Sequence, residues 1–281
     1  MDSQTMERPS TPTTKRPRVA VLKFTSCDGC QLSLLNLEEE LVLLGETFDF
    51  AYFPEASSNM ENGPYDIALI EGSISCPEDI PRILEIRQQV ATLITIGACA
   101  TSGGIQALKN WSDIDAFKEA VYPSPEHIHS LSTSTPISEH VKVDFELWGC
   151  PIDKYQLLRV LTDLVAGVQP RLPNHSVCLE CKRQGHVCVL VAQGIPCLGP
   201  VTRTGCGAIC PGLERDCYGC FGPAEHASTH PTGVPPNTAS LAQHFHQQVH
   251  LIPVEMVRRF RGITGSVQSF SKESECWEEK H

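Results

Sequence analysis

Between Cys178 and Cys220 the chain carries eight of its fourteen cysteines, spaced C-x2-C-x6-C-x8-C-x8-C-x3-C-x6-C-x2-C. Thiols this close together, in a stretch rich in glycine, can be folded into compact loops that close on a metal. The chemistry they suit is tetrahedral thiolate ligation of zinc, or the four corners of a [4Fe–4S] cluster. Eight thiols divide into two sites of four. Disulfides and plain buried thiols are the competing readings. The local spacing does not name the metal. The CxxC pairs Cys178/Cys181 and Cys217/Cys220 would suit a zinc site and leave four thiols over. Cys206-x3-Cys210-Pro211, by contrast, partly echoes the bacterial ferredoxin run.

Four more cysteines carry the same question at the other end of the chain. Cys27 and Cys30 follow the apolar run RVAVLKF (18–24), Cys99 follows ATLITIG (91–97), and Cys150 follows FELWG. Cys27 and Cys30 lie between a strand and a helix, so they also fit a thioredoxin-like redox CxxC, with Cys99 and Cys150 as core thiols.

The segments that must position these residues read as an α/β pattern. Short apolar runs at 18–24, 48–54, 65–72 and 91–97 predict buried strands. Leucines at helical spacing from Gln31 predict a helix that stops at Gly45, and 77–90 and 153–167 predict two more. Strand, helix, strand, strand, helix, strand is a doubly wound order, in which sites form at the carboxyl ends of the strands. Cys27, Cys30, Cys99 and Cys150 would therefore meet on one edge of the sheet. Past QPRLP (169–173) the periodicity is lost, which places a domain boundary there. After Pro223 the sequence reads as a polar tail with one helical candidate, SLAQHFHQQVHLI. Residues 1–17 read as a disordered tail.

Bulk properties narrow the class. The chain has 281 residues, 41% apolar and 20% charged, with a net charge of −11. It can bury a sizeable core, and its acidity argues against a nucleic-acid partner. No apolar run is long enough for a membrane helix, and the first residues lack the features of a signal peptide or a twin-arginine signal. The expectation is a cytoplasmic protein, where clustered thiols serve metal or redox chemistry and not a disulfide framework.

CDGC after the first strand, EGSIS at 71–75, GACAT with Gly97, GCP at 149–151, GIPCLGPVT at 194–202 and CYGC at 217–220 together resemble the small subunit of [NiFe] hydrogenases. The ordered set covers roughly residues 18–223. The resemblance implies a flavodoxin-like doubly wound parallel sheet (18–170), then a small irregular iron–sulfur domain (171–281) with clusters in 171–223 and the C-terminal tail. It also implies three clusters and no nickel–iron active site on this chain.

Carried over by motif, Cys27, Cys30, Cys99 and Cys150 would hold the proximal [4Fe–4S] cluster. Periplasmic members begin the distal site with a histidine and bind a medial [3Fe–4S] cluster through three cysteines. Here Cys178 stands in place of that histidine and the medial group offers four thiols. The implied distal ligands are Cys178, Cys181, Cys188 and Cys197, and the medial ligands Cys206, Cys210, Cys217 and Cys220. An interleaved pairing of the eight has equal support from spacing. The all-cysteine pattern resembles the cytoplasmic, cofactor-coupled hydrogenases, including sulfhydrogenase delta subunits. It implies a large subunit and flavin/iron–sulfur NAD(P) or deazaflavin reductase subunits as partners. The implied role is electron relay in an oxidoreductase complex. The alternatives are a related subunit of a quinone oxidoreductase complex, whose adjacent cysteines differ from CDGC, and a zinc-stapled interaction module.

Cys76 reads as a buried or half-buried thiol outside the four-thiol site, and Cys276 as an exposed thiol. Glu71 matches the acidic position of the EG motif and reads either as an interface residue or as an ordinary strand-end carboxylate. Ser26 stands where some relatives carry a carboxylate implicated in proton transfer, so that role is not transferred. The histidines His226, His230, His244, His246 and His250 read as solvated.

Overall fold

A computed structural model describes residues 15–225 and 237–279. Most of the expected N-terminal tail, with His226 and His230, lies outside the described residues. The elements run β1 (Arg18–Lys23), α1 (Gly29–Leu35), α2 (Glu39–Thr47), β2 (Asp49–Tyr52), β3 (Tyr65–Glu71), α3 (Asp79–Gln88), β4 (Val90–Ile96), α4 (Gly97–Ser102), α5 (Ile114–Val121), β5 (Phe145–Leu147) and α6 (Lys154–Val165). The five strands form one sheet in the order β2-β1-β3-β4-β5, with every pair parallel. This is the flavodoxin-like order, and its switch point lies between β1 and β3.

The strands are apolar throughout because both faces of the sheet are covered. Val19, Val21, Leu69, Ile94 and Ile96 pack on one side with Leu34, Leu157 and Leu161. Ala20, Leu22, Ala68, Ile70 and Leu93 alternate onto the other side with Ile83 and Ile137. Two layers of core thus fix the sheet, and its carboxyl edge holds the loops after β1, β3, β4 and β5 in register.

The single helix expected from Gln31 to Gly45 is instead two. Asn36 closes α1, and Glu38, with φ 55°, turns the chain before α2, which then continues through Gly45 to Thr47. The helix expected at Pro77 begins two residues later. Asp79 folds back so that its Oδ2 accepts the N–H groups of Ser75 and Cys76 at 3.2 and 3.0 Å.

Short helices carry the thiol-rich stretch: α7 (Val177–Arg183), α8 (Val189–Gln193) and α9 (Ile209–Gly212). The C-terminal stretch, expected as a polar tail with one helix, folds into three: α10 (Thr238–Gln248), α11 (Pro253–Phe260) and α12 (Gln268–Glu278). Leu241, Phe245, Met256, Phe260, Phe270 and Trp277 close around Leu198 and Val201 of the thiol-rich part. An Asn237/Ser240 capping box starts α10. Thr264 donates to Gly219 O at 2.7 Å and Arg259 pairs with Asp216. This unit also reaches the sheet domain, through Ser266 to Ser102 O and through Arg261 stacked 5.0 Å over Trp111. His244, His246 and His250 are exposed. Among the described residues no helix is long and apolar enough to cross a membrane.

Candidate functional site

The loop after β1 turns at once into α1. Asp28 adopts a left-handed conformation at the helix start and pairs with Lys23, which places Cys27 outside and Cys30 inside. Across the switch point, β4 runs directly into α4, which carries Cys99. Ala98 N donates to Gly149 O at 2.7 Å, tying this loop to the one after β5 that holds Cys150. At Gly97, φ is +86° and a Cβ would lie 2.3 Å from Cys30 Sγ, so glycine is required for both torsion and space.

The four thiols are electrostatic neighbours. Charge on Cys99 or Cys150 would act on Cys30, and Cys27 would act on both Cys99 and Cys150. Burial, aided by the Glu71 carboxylate, holds the Cys30 thiol far above its ordinary value, and burial pushes Cys99 up to about 11. Such thiols become thiolates when a cation binds them.

Glu71 ends β3 and is 1% exposed, so it lines no surface of this chain. Its carboxylate accepts the N–H groups of Cys30 and Gln31 at 3.2 and 3.3 Å, and burial raises its pKa. Gln106, which sequence reasoning missed, donates from Nε2 to Thr25 O at 2.9 Å and lies 3.5 Å from Cys99 Sγ. No local motif marks it, since its contacts come from the fold. Cys76 is half-buried, held at Asp79, and Cys276 is exposed on α12.

The other eight thiols form two groups. Cys178 and Cys181 on α7, Cys188 ahead of α8 and Cys197 line one cavity with Val189, Gly199 and Pro200. Cys206, Cys210, Cys217 and Cys220 line a second, of about 260 Å³, together with Cys150 and Phe221. Within the first group Cys178 feels Cys197, Cys188 and Cys181, and burial raises it to about 11. Burial lifts Cys220 to about 12, with the charges of Cys206, Cys150 and Cys210 adding to it.

The second group touches both of the others. The Cys217 N–H donates to Cys197 Sγ at 3.2 Å, and the Cys150 N–H faces the Cys220 thiol and lowers its pKa. Phe221, next to Cys220, is wedged between the loops: a Cβ on Gly149 or Gly205 would meet its ring at 3.0 or 2.8 Å. Cys27, Cys150 and Cys188 are exposed, while Cys30, Cys197 and Cys217 are buried. The 206–220 group thus lies in contact with each of the other two thiol groups.

Among the described residues, no three His, Cys, Asp or Glu side chains converge closely enough to hold a single metal ion. A larger cavity, of about 590 Å³, is framed by Ile105, Pro196, Tyr218 and α11 and includes none of the thiols.

The family described as "NADH ubiquinone oxidoreductase, 20 Kd subunit" is matched over residues 27–164. The chain is 38% identical over 210 residues to sulfhydrogenase 2 subunit delta of Pyrococcus furiosus, spanning 74% of this chain and 86% of that one. It is 31% identical over 234 residues to a vhu subunit of the F420-non-reducing hydrogenase of Methanococcus voltae, spanning 73% and 82%. Among solved structures, it is similar to an NAD+-reducing [NiFe]-hydrogenase in the H2-reduced state. The TM-score is 0.52 at 29% identity, over 57% of this chain and 96% of that one.

Proposed function

This chain belongs to the small-subunit family of [NiFe]-hydrogenase-type enzymes, and from that premise we propose that it relays electrons through three [4Fe–4S] clusters. The observation that carries this reading is the set of three four-thiol groups, of which the 206–220 group contacts each of the others through a backbone N–H group, with exposed thiols in both of those others. Cys27, Cys30, Cys99 and Cys150 hold the proximal site, Cys206, Cys210, Cys217 and Cys220 the medial, and Cys178, Cys181, Cys188 and Cys197 the distal. An all-sulfur donor set suits either metal, but the middle group lines a cavity of about 260 Å³, roomier than a zinc ion in a closed tetrahedron needs, which supports a cluster over zinc there.

Iron–sulfur clusters, when bound, supply one-electron carriers at these positions. The chain's own residues do the rest. Buried thiols fix each site, Phe221 spaces the proximal and medial loops, and amide donors such as Gln106 stabilise charge on the sulfurs. Hydrogen chemistry belongs to a partner large subunit docked at the exposed Cys27 and Cys150 edge. Electrons leave or enter past Cys188 to a flavin/iron–sulfur reductase subunit serving NAD(P) or a deazaflavin, in the cytoplasm.

Anaerobic purification tests this. Brown protein with iron near twelve atoms per chain, about four for each of three sites, is the expected result. Cys99→Ala and Cys220→Ala should each remove a different paramagnetic resonance signal. Colourless, iron-free protein would overturn the cluster reading, and identical losses from the two variants would overturn the division of sites. Co-purification of a nickel-bearing chain and a flavin-bearing chain tests the partners.

A further inference from the structure

Glu180 stands between two thiols of the distal group, yet its contacts lie with the medial group. It sits on α7 between Cys178 and Cys181, while its Oε1 accepts the N–H of Gly205, the residue before Cys206, at 3.1 Å. Its Oε2 is buried and has no hydrogen-bond partner. A buried carboxylate oxygen left unpaired is destabilising, and a fold that keeps one without a structural partner calls for another explanation.

The neighbouring electrostatics point the same way. The hydrogen bond to Gly205 sets the Glu180 carboxylate against the loop that carries Cys206, and its charge acts on the Cys206 thiol. One short helix therefore carries two thiols of the distal group and turns a carboxylate from between them towards the medial site. Reduction of a cluster adds negative charge, so a nearby carboxylate disfavours it, and more strongly away from water, where Oε2 of Glu180 lies.

We propose that α7 tunes the step in reduction potential between the medial and distal clusters, Glu180 making the medial cluster harder to reduce. Electron transfer from medial to distal is thereby made more downhill, which favours outward flow from the large-subunit side. Glu180 is a positioning and tuning residue here, not a ligand. The inference rests on the reading of Cys206, Cys210, Cys217 and Cys220 as cluster ligands.

The test is a redox titration of the anaerobically purified complex, followed by paramagnetic resonance. Glu180→Gln keeps an acceptor for Gly205 and removes the charge. It should leave the iron content unchanged and shift the medial midpoint to higher potential, with the proximal and distal midpoints unmoved. The proposal is overturned if Glu180→Gln leaves the medial midpoint in place or moves the distal one equally. A Cys220→Ala variant that keeps its full iron and every signal would instead show that no cluster lies there, which sinks the underlying reading and not this inference alone.

Discussion

The backbone N–H of Cys217 donates to Sγ of Cys197 at 3.2 Å, so one residue of the 206–220 group is bonded to a thiol of the 178–197 group. The two proposed sites, medial and distal, therefore share a contact that a ligand deletion can break selectively. Cys178→Ala and Cys197→Ala should both empty the distal site, and only Cys197→Ala takes away the acceptor of the Cys217 amide. The expected outcome is a medial resonance signal altered in Cys197→Ala and near normal in Cys178→Ala. Equal medial spectra in the two variants would show that this bond does not couple the sites.

Gly97→Ala should destroy the proximal site without unfolding the sheet. The added methyl would stand 2.3 Å from Cys30 Sγ, at a φ of +86° that alanine resists. Loss of about four iron atoms out of about twelve is expected. Far-ultraviolet circular dichroism should be retained. A fully loaded variant would place Cys30 elsewhere.

Gln106→Leu removes an amide donor 3.5 Å from Cys99 Sγ. Donors to cluster sulfurs stabilise the reduced state, so the proximal midpoint should fall. One neutral hydrogen bond contributes about 1 kcal/mol, which corresponds to a fall of tens of millivolts for one electron. Gln106→Glu should lower it further. A titration in which the proximal midpoint stays fixed would remove Gln106 from the site.

Glu146 on β5 lies beside Arg203, whose guanidinium stacks 5.5 Å over Trp148. Burial pushes the Glu146 carboxyl above its ordinary 4.5, and Arg203 pulls it back in part. A carboxyl raised on folding holds its proton where the unfolded chain has already lost it. Stability from this group is therefore full below about pH 4.5 and declines as pH rises towards the folded value. Glu146→Gln should flatten that part of the pH profile of anaerobic thermal unfolding; an unchanged slope would mean the group does not report on folding.

The sheet was legible because its strands are buried on both faces and therefore read as unbroken apolar runs, as in Val90–Ile96. The strand ends placed Cys27, Cys30, Cys99 and Cys150 on one edge for the same reason. The break at Glu38 was hidden, since Leu34, Leu35, Leu37, Leu41 and Leu44 keep helical spacing straight across it. The last two helices, α11 and α12, were hidden too. Phe260 and Phe270 are single apolar positions among polar and charged neighbours, and only packing on Leu198 and Val201 makes a core of them. Gln106 and Glu180 lie beyond any local signal, because each acts on a thiol that a different loop delivers.

Thr264, Ser266 and Arg261 clamp Gly219, Ser102 and Trp111 from a segment close to the end of the chain. The brace belongs to neither the sheet nor the thiol loops, yet it grips both, so it works as a rivet that holds the spacing between them.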